Sequence, residues 1–448
     1  MSKTKIFKFE SLMRRTKIAV KRAKKGKNPF VFRQEDETHA NLAKRHAQEE
    51  RFRIYGLLAI AVSFLFLAVL MTSIISHGYS AFRKTEILLP INFDQAALGE
   101  DLESADYREL VKNSLTFAFP EAEGRTEKFS LYALVSKDAS FVLKDMIRND
   151  PNLLGSIKEV WLAASSDVDM FMKGRISAET ASENRRLSDQ QIGWINRLQS
   201  ESRIKVSFND IFFSQGDSRE PEQAGILTSI IGSIFVITIC IVIAFPIGVL
   251  SALYLEEFAP KNWITDLIEI NINNLAAVPS IIFGLLGLAI YLNLFGVERS
   301  SSLAGGLTLA LLILPIIVIS TRNSIKAVPP SIKDAAIALG ASKVKVAFNH
   351  TILYAMPGIM TGVILGIARA LGETAPLLMI GMVAFVADVP HSFMDPATTL
   401  PVQVYLWSDS PEIGFVEKTS AAILVLLTFL IFINSLAIYL RKKLEIRW

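Results

Sequence analysis

SIKDAAIALGASKVKVAFNHTILYAMPGIMTGVILGIARALGET, residues 331–374, joins a cationic, polar preface to an apolar stretch that carries one arginine and one glutamate. A soluble helix has no reason to pair membrane-depth apolarity with such a preface. The stretch reads as the place where something outside a membrane acts on something inside it. Asp334-Ala335-Ala336 opens a helix, with Asp334 near the positive end of the helix dipole. Pro329 and Pro330 stop whatever precedes it. Gly340 suits the left-handed conformation that ends a helix and re-aims the chain. A second short helix is expected to about Tyr354, and Pro357-Gly358 opens the membrane span. An ordinary connecting loop has the same ingredients, so physics alone leaves a docking hairpin and a plain loop both open.

Within the span, Gly358, Gly362, Gly366 and Ala370 recur every four residues, with Thr374 next on the same row. One helix face is nearly bare of side chains, which lets a neighbouring backbone approach closely. Plain helix packing explains that stripe. Beside it stand Arg369 and Glu373. A charge at a helix centre costs about 2.5–3.5 kcal/mol on insertion scales, so these groups face protein or water. Two readings fit. The residues are four apart and can pair, although Arg before Glu is the weaker order. Alternatively Arg369 offers a fork of donors to an oxyanion, while Glu373 orients it or gates access.

The rest of the 448 residues places this stretch in a membrane protein. Hydrophobic residues make up 51% of the chain and come in six long blocks. A bilayer core of about 30 Å takes roughly 20 helical residues. The blocks lie at Ile54–Ile75, Gly225–Leu253, Ala276–Phe295, Leu303–Ile319, Pro357–Val386 and Ser420–Leu440. They lack the period-2 alternation of barrel strands. Pro246, Pro279 and Pro315 lie inside blocks and predict kinks. The single cysteine, Cys240, permits no internal disulfide, and zinc-type Cys/His spacing is absent.

Charge fixes the expected orientation. Lys3, Lys5, Lys8, Arg14, Arg15, Lys17, Lys21, Arg22, Lys24, Lys25 and Lys27 make residues 1–53 a basic cytosolic tail. Inside loops are expected at 254–275 and 320–356, the latter with Arg322, Lys326, Lys333, Lys343 and Lys345. Arg441, Lys442, Lys443 and Arg447 mark a cytosolic C-terminal tail. Outside loops are expected at 296–302 and 387–419, and 387–417 carries Asp388, Asp395, Asp409, Glu412 and Glu417 with no lysine or arginine. Arg322, at a span edge, reads as a snorkelling side chain. Both termini are then cytosolic.

Residues 81–222 fall outside and have soluble-domain composition. DYRELVKNSL and SDQQIGWINRLQS read as amphipathic helices, KFSLYALVS and RIKVSFNDIFF as strands. The region holds no histidine and no glycine-rich phosphate loop, and its role is not legible. The expected fold class is an all-α polytopic membrane protein with six transmembrane helices and an inserted α+β extracytoplasmic domain. The expected domains are the tail at 1–53, a first anchor at 54–76, the extracytoplasmic domain at 81–222 and a core at 224–442 with five spans.

DAA, three residues and Gly340 resemble the EAA loop of the membrane subunits of bacterial ABC importers. Asp334 replaces the usual Glu, and His350, Ile352 and Leu353 stand where that pattern has Ile-x-Leu-Pro. FPIGVLSALYLEEFAP (245–260), AAVPSIIFGLLGL (276–288) and ARALGETAPLL (368–378) narrow the resemblance to the PstA family of phosphate ABC transporter permeases. The likeness covers roughly residues 224–440, and the N-terminal part looks like that of the longer form with an extra domain. It implies a type I (MetI-like) permease core in the bacterial inner membrane, working in phosphate import. It implies a PstC-like permease partner, a PstB-like ATPase dimer that binds the ATP and Mg, and a PstS-like periplasmic phosphate-binding protein. By that resemblance 331–356 is the coupling loop, and Asp334, Ala335, Ala336 and Gly340 meet the ATPase. Arg369, Glu373 and Thr374 fall on the substrate path.

No cofactor, metal or nucleic acid is expected on this chain, its only other partner being membrane lipid. It has no GxxxxGK[ST] and no catalytic cluster, so it reads as a transport subunit rather than an enzyme. Two alternatives remain: a permease for a related oxyanion such as phosphonate, phosphite or sulfate, and a membrane sensor built on residues 81–222. A sensor needs a cytosolic output domain after its second span, and only about 20 residues follow before further spans.

Overall fold

The computed structural model describes residues 31–94, 98, 102, 105–177, 186–383 and 385–444. The basic residues from Lys3 to Lys27, and Arg447, lie outside the described residues. The chain divides into two units at Ser73/Ile74. The first is dominated by helix α1 (Val31–Gly78), which runs on into the second at Ile74. Leu57, Phe64, Phe66 and Leu70 stand exposed along it. Apolar side chains exposed all round a helix of this length suit hydrocarbon rather than water.

The second unit begins with an α+β domain. Strand β1 (Arg83–Asn92) alternates exposed and buried, putting Ile87, Leu89 and Ile91 on the inner face. Helices α2 (Tyr107–Ala118), α3 (Arg125–Tyr132) and α4 (Ala139–Asn149) follow, then β2 (Ile157–Ala163) and α5 (Ser166–Met172). Helix α6 (Asp189–Ser200), β3 (Ile204–Phe208) and the turn of helix α7 (Ile211–Ser214) complete it. The sheet is antiparallel, in the order β2-β1-β3. Leu115, Leu131, Leu143 and Ile195 close its core from the helices.

Two local signals behave as the sequence suggests. Asp106 caps α2 by accepting from the Arg108 amide, and Ser188 with Gln191 makes a capping box at α6. One does not. KFSLYALVS is not a strand: α3 occupies Arg125–Tyr132, and only Val135 bridges, to Ala164. Gly124 and Glu127 start the helix, the Glu127 carboxylate accepting from the Gly124 amide at 3.2 Å.

The membrane part comprises α8 (Leu227–Leu253), α9 (Trp263–Ala276), α10 (Ser280–Gly287), α11 (Ser302–Lys326), α12 (Pro330–Ala338), α13 (Lys343–Val346) and α14 (Ile352–Gly372). Helices α15 (Ala375–Met379), α16 (Leu400–Ser408) and α17 (Ile413–Leu444) follow. Among the described residues five helices are long and apolar enough to cross a bilayer, and α9 with the α10 segment supplies a sixth if counted as one broken span. The centre is α11 packed between α8 and α14, with Cys240, Ile313, Ile317, Ile359 and Val363 buried at the contact.

Two span boundaries differ from those the hydropathy suggests. The block Ala276–Phe295 is not one span: Trp263–Ala276 and Ser280–Leu292 meet at 103°. Pro279 lacks the amide a helix needs and pushes Val278 out of helical geometry, so the chain turns there. The expected inside loop 254–275 therefore holds a helix with Trp263, Ile264 and Leu267 exposed. The block Pro357–Val386 ends early, at Gly372. Glu373 is extended (φ −84°, ψ 122°), and Pro376, four residues beyond Gly372, has no amide to continue the ladder.

Candidate functional site: a coupling hairpin joined to a charged helix end

Helix α12 starts at Pro330, the favoured first helical position for proline. Asp334 is thus its fifth residue, past the first turn, and the expected dipole contact is not made. The helix ends as a Schellman motif. The Gly340 amide donates to the Ile337 carbonyl at 2.8 Å and the Ala341 amide to the Ala336 carbonyl at 3.1 Å. Gly340 holds φ +88°, a conformation that costs any residue with a Cβ. The turn lifts Leu339 out to 90% exposure, with Ile337, Val344 and Phe348 exposed beside it. Asp334 and Ala335 are exposed and Ala336 is buried.

Beneath this hairpin lies a cluster of ion pairs that sequence reading did not anticipate. Arg322 does not snorkel. It is buried, with Nε 3.2 Å from Glu256 Oε2 and Nη2 2.8 Å from Glu269 Oε2. Lys333, beside Asp334 on α12, reaches Glu257 Oε1 at 2.5 Å. Glu256 and Glu257 sit on a π-helical turn, Tyr254–Phe258, at the end of α8. The hairpin is thus tied to α8, and α11 to both α8 and α9. The signal was present in the LEEF tetrapeptide, but its basic partners lie 66 and 76 residues away.

The membrane helix does not begin at Pro357. Lys343–Gly372 is continuous over 30 residues, through a π-helical turn at Ala347–Thr351 and through Pro357. At 1.5 Å per residue it makes a rod of about 45 Å. Its bare face lies on α11. A Cβ added to Gly358 would stand 2.2 Å from Ser324 Oγ, and one added to Gly362 2.2 Å from Ser320 Oγ. At Gly366 the added atom would meet Ile313 at 3.5 Å, ordinary contact, and Ala370 is buried.

The rod ends at the charged pair. Arg369 Nε stands 3.5 Å from Glu373 Oε1, with both side chains partly exposed. That separation is long for a charge-assisted hydrogen bond, which leaves guanidinium donors available to another acceptor. Glu373 lies in the break after α14, and Thr374 precedes α15, where its carbonyl accepts from the Leu377 and Leu378 amides. Helix α10 packs on this break so closely that a Cβ on Gly284 would fall 2.7 Å from Pro376 Cα. The structure therefore brings Arg369, Glu373 and Thr374 together at one end of the rod. It sets Asp334, Ala335, Ala336 and Gly340 at the other. Among the described residues no group of three His, Cys, Asp or Glu side chains could hold a metal.

Two family models match the chain. "Domain of unknown function (DUF3333)" spans residues 39–182, and "Binding-protein-dependent transport system inner membrane component" spans 244–446. The phosphate transport system permease protein PstA of Haemophilus influenzae is 34% identical over 222 residues, which are 50% of this chain and 77% of that protein. The permease protein PstC of the same organism is 32% identical over 234 residues, 47% of this chain and 73% of that protein. Among solved structures, an inward-facing MetNI methionine ABC transporter chain matches with TM-score 0.39 and 18% identity, over 50% of this chain and 95% of that one.

Proposed function

The chain belongs to the PstA family of phosphate-transport permease proteins, and we propose from that premise how its parts divide the work of import. It is a multi-pass inner-membrane permease subunit for phosphate, not an enzyme, and ATP hydrolysis falls to a separate ATPase. We assign the exposed apolar tip, Ile337, Leu339, Val344 and Phe348, to a PstB-like ATPase dimer. Asp334, Ala335, Ala336 and Gly340 shape that contact. A PstC-like permease completes the path, and a PstS-like binding protein delivers phosphate to the opposite face. Both termini are cytosolic in this reading, which the basic residues near Arg441 support. ATP and Mg stay with the ATPase.

The observation that carries the reading is the unbroken rod Lys343–Gly372. A displacement at the hairpin need not pass through a loop to reach Arg369. Rotation of the rod about the serine-lined contact with α11 would turn Arg369 toward or away from the path. Arg369 supplies positive charge and a planar donor fork to the phosphate oxygens, Glu373 sets its orientation, and Thr374 adds a hydroxyl at the same level.

The test is phosphate uptake by proteoliposomes holding the complete importer. A hydrogen bond to a charged group contributes about 1.5–3 kcal/mol, so Arg369→Ala should lower uptake roughly 10- to 100-fold. Arg369→Lys, which keeps the charge and loses the fork, should fall between. Unchanged uptake in both variants removes Arg369 from the path. Adding phosphonate or sulfate as competitor separates phosphate from other oxyanions.

A further inference from the structure

The α+β domain leaves one apolar surface bare. On β3 the residues Ile204, Val206 and Phe208 share a face. Ile204 is buried in the domain core, but Phe208 is 65% exposed and Val206 42%. Phe213, just beyond, is 40% exposed and stacks flat on Phe208 at 6.0 Å and on Phe82 at 5.7 Å. These rings, with Tyr79 and Arg83, line one hollow. β3 is also an edge strand.

The height of this aromatic row is fixed by its neighbours. Phe213 meets Phe212 edge-on at 5.0 Å. Phe212 is fully buried and packs on Trp407, which packs on Phe415 in the first turn of α17. Ile226, Ala421 and Ala422, at the ends of two spans, belong to the same cluster. Gly78, the last residue of α1, lies against the backbone of Ala421. The bare rings therefore stand level with the ends of the transmembrane helices, where aromatic side chains concentrate. Two arginines stand at the same level. Arg83 Nη2 donates to the Tyr79 hydroxyl at 2.6 Å, and Arg175 Nη2 donates to the Ser76 carbonyl at 2.6 Å. Both are exposed and line one cleft with Tyr79 and Ser80. From Arg83, β1 carries the rest of the sheet about 30 Å away along the strand.

We propose that Val206, Phe208 and Phe213 seat this domain in the headgroup boundary of a phospholipid bilayer, with Arg83 and Arg175 at the depth of the lipid phosphates. The occupant is lipid because the row continues the chain's own interfacial aromatic cluster, and Val206, Phe208 and Phe213 stay exposed beside Phe212, which that cluster buries. The extra domain would then be held at the surface by its spans and by this face, with no free rotation above the membrane. The inference does not depend on the transported ion.

The test uses the full chain in proteoliposomes, in a Cys240→Ala background. Nitroxide labels are placed through Val206→Cys, Phe208→Cys and Phe213→Cys, with Asn152→Cys, at the far end of the sheet, as the aqueous control. Collision with oxygen, which partitions into lipid, is compared with collision with a water-soluble nickel chelate. The expected result is an oxygen-to-nickel ratio several-fold higher at 206, 208 and 213 than at 152. Equal ratios at all four positions place the domain clear of the bilayer and overturn the proposal. Low collision with both reagents at 206, 208 and 213, in the chain alone or with its partner subunits, assigns the face to a protein and overturns it equally. Variants with Arg83→Glu and Arg175→Glu should lower the ratio at 208.

Discussion

Glu222 sits in the short turn Pro221–Gln223 that leads from the α+β domain into α8, and its Oε2 is buried without a hydrogen-bond partner. Burial pushes its carboxyl up to about 7, only partly offset by a hydrogen bond from Ser136. An acid whose folded value exceeds its unfolded one is protonated in the folded chain and ionised in the unfolded chain between the two. Stability therefore falls as pH rises from about 4.5 to about 7, by about 3 kcal/mol in total. Thermal melting of the detergent-solubilised protein between pH 5 and 8 should show that loss, and Glu222→Gln should flatten it and melt higher at pH 8. An unchanged slope in Glu222→Gln would locate the pH dependence elsewhere. Such residues were not legible in the sequence. Arg369 and Glu373 stood out because the charge and its partner lie four apart in an apolar run. Glu222 and Arg322 take their environments from residues tens of positions away, and Lys173, although four from Asp169, also pairs with Glu417, 244 positions on; a snorkelling Arg322 is the wrong expectation for that reason.

At the level of elements, the α14–α11 contact is where small side chains decide the geometry. Lipid chains are as apolar as the helices, so close backbone approach and dispersion contacts hold such a pair together. The contact is uneven. Gly358 and Gly362 face serine side chains at 2.2 Å from an added Cβ, while Gly366 has room at 3.5 Å. Gly362→Ala should destabilise by about 1–3 kcal/mol, the range for overpacking, and Ser320→Gly in the same chain should restore most of it. Gly366→Ala should be close to neutral. Thermal melting of these variants would decide this, and equal losses at Gly362 and Gly366 would contradict the observed packing. The four-residue spacing made the stripe visible in sequence. The bend at Pro279 and the stop before Pro376 were not, because hydropathy records how apolar a segment is and not where its backbone loses an amide. The same blindness hid the continuity of the rod through Pro357, where an isolated proline signal reads as a boundary. KFSLYALVS misled for a different reason: β-prone residues yielded to a glycine–glutamate helix start.

At the scale of the whole second unit, a charge network that no single element reveals joins the α+β domain to the membrane helices. Lys173, at the end of α5, reaches Asp169 Oδ2 at 2.5 Å and Glu417 Oε1 of α17 at 2.7 Å. Its side chain is only 4% exposed. Asp169 in turn accepts from the Thr85 amide of β1 at 2.8 Å, and Lys418 donates to the Ala224 carbonyl at 3.1 Å. Sheet, domain helix and transmembrane helix thus share one buried ammonium. Replacing a buried pair by apolar groups is often harmless, but removing one partner alone costs about 3–5 kcal/mol, because the remaining charge stays buried without compensation. Lys173→Met would leave two carboxylates with only the Lys418 ammonium to balance them. The domain's own core, around Ile87, Leu89 and Leu162, lies apart from this network. The expected outcome is therefore a domain still folded but loosened from α17. Hydrogen exchange should rise across residues 166–173 and 413–420 while the β1–β2 amides stay protected. Neutralising all four charged groups, with Lys173→Met, Lys418→Met, Asp169→Asn and Glu417→Gln together, should return exchange most of the way. The side-chain amide oxygen that Asp169→Asn introduces can still accept from the Thr85 amide. Exchange unchanged in the single variant would mean that apolar contacts alone, such as Phe212 against Trp407, hold the domain to the permease.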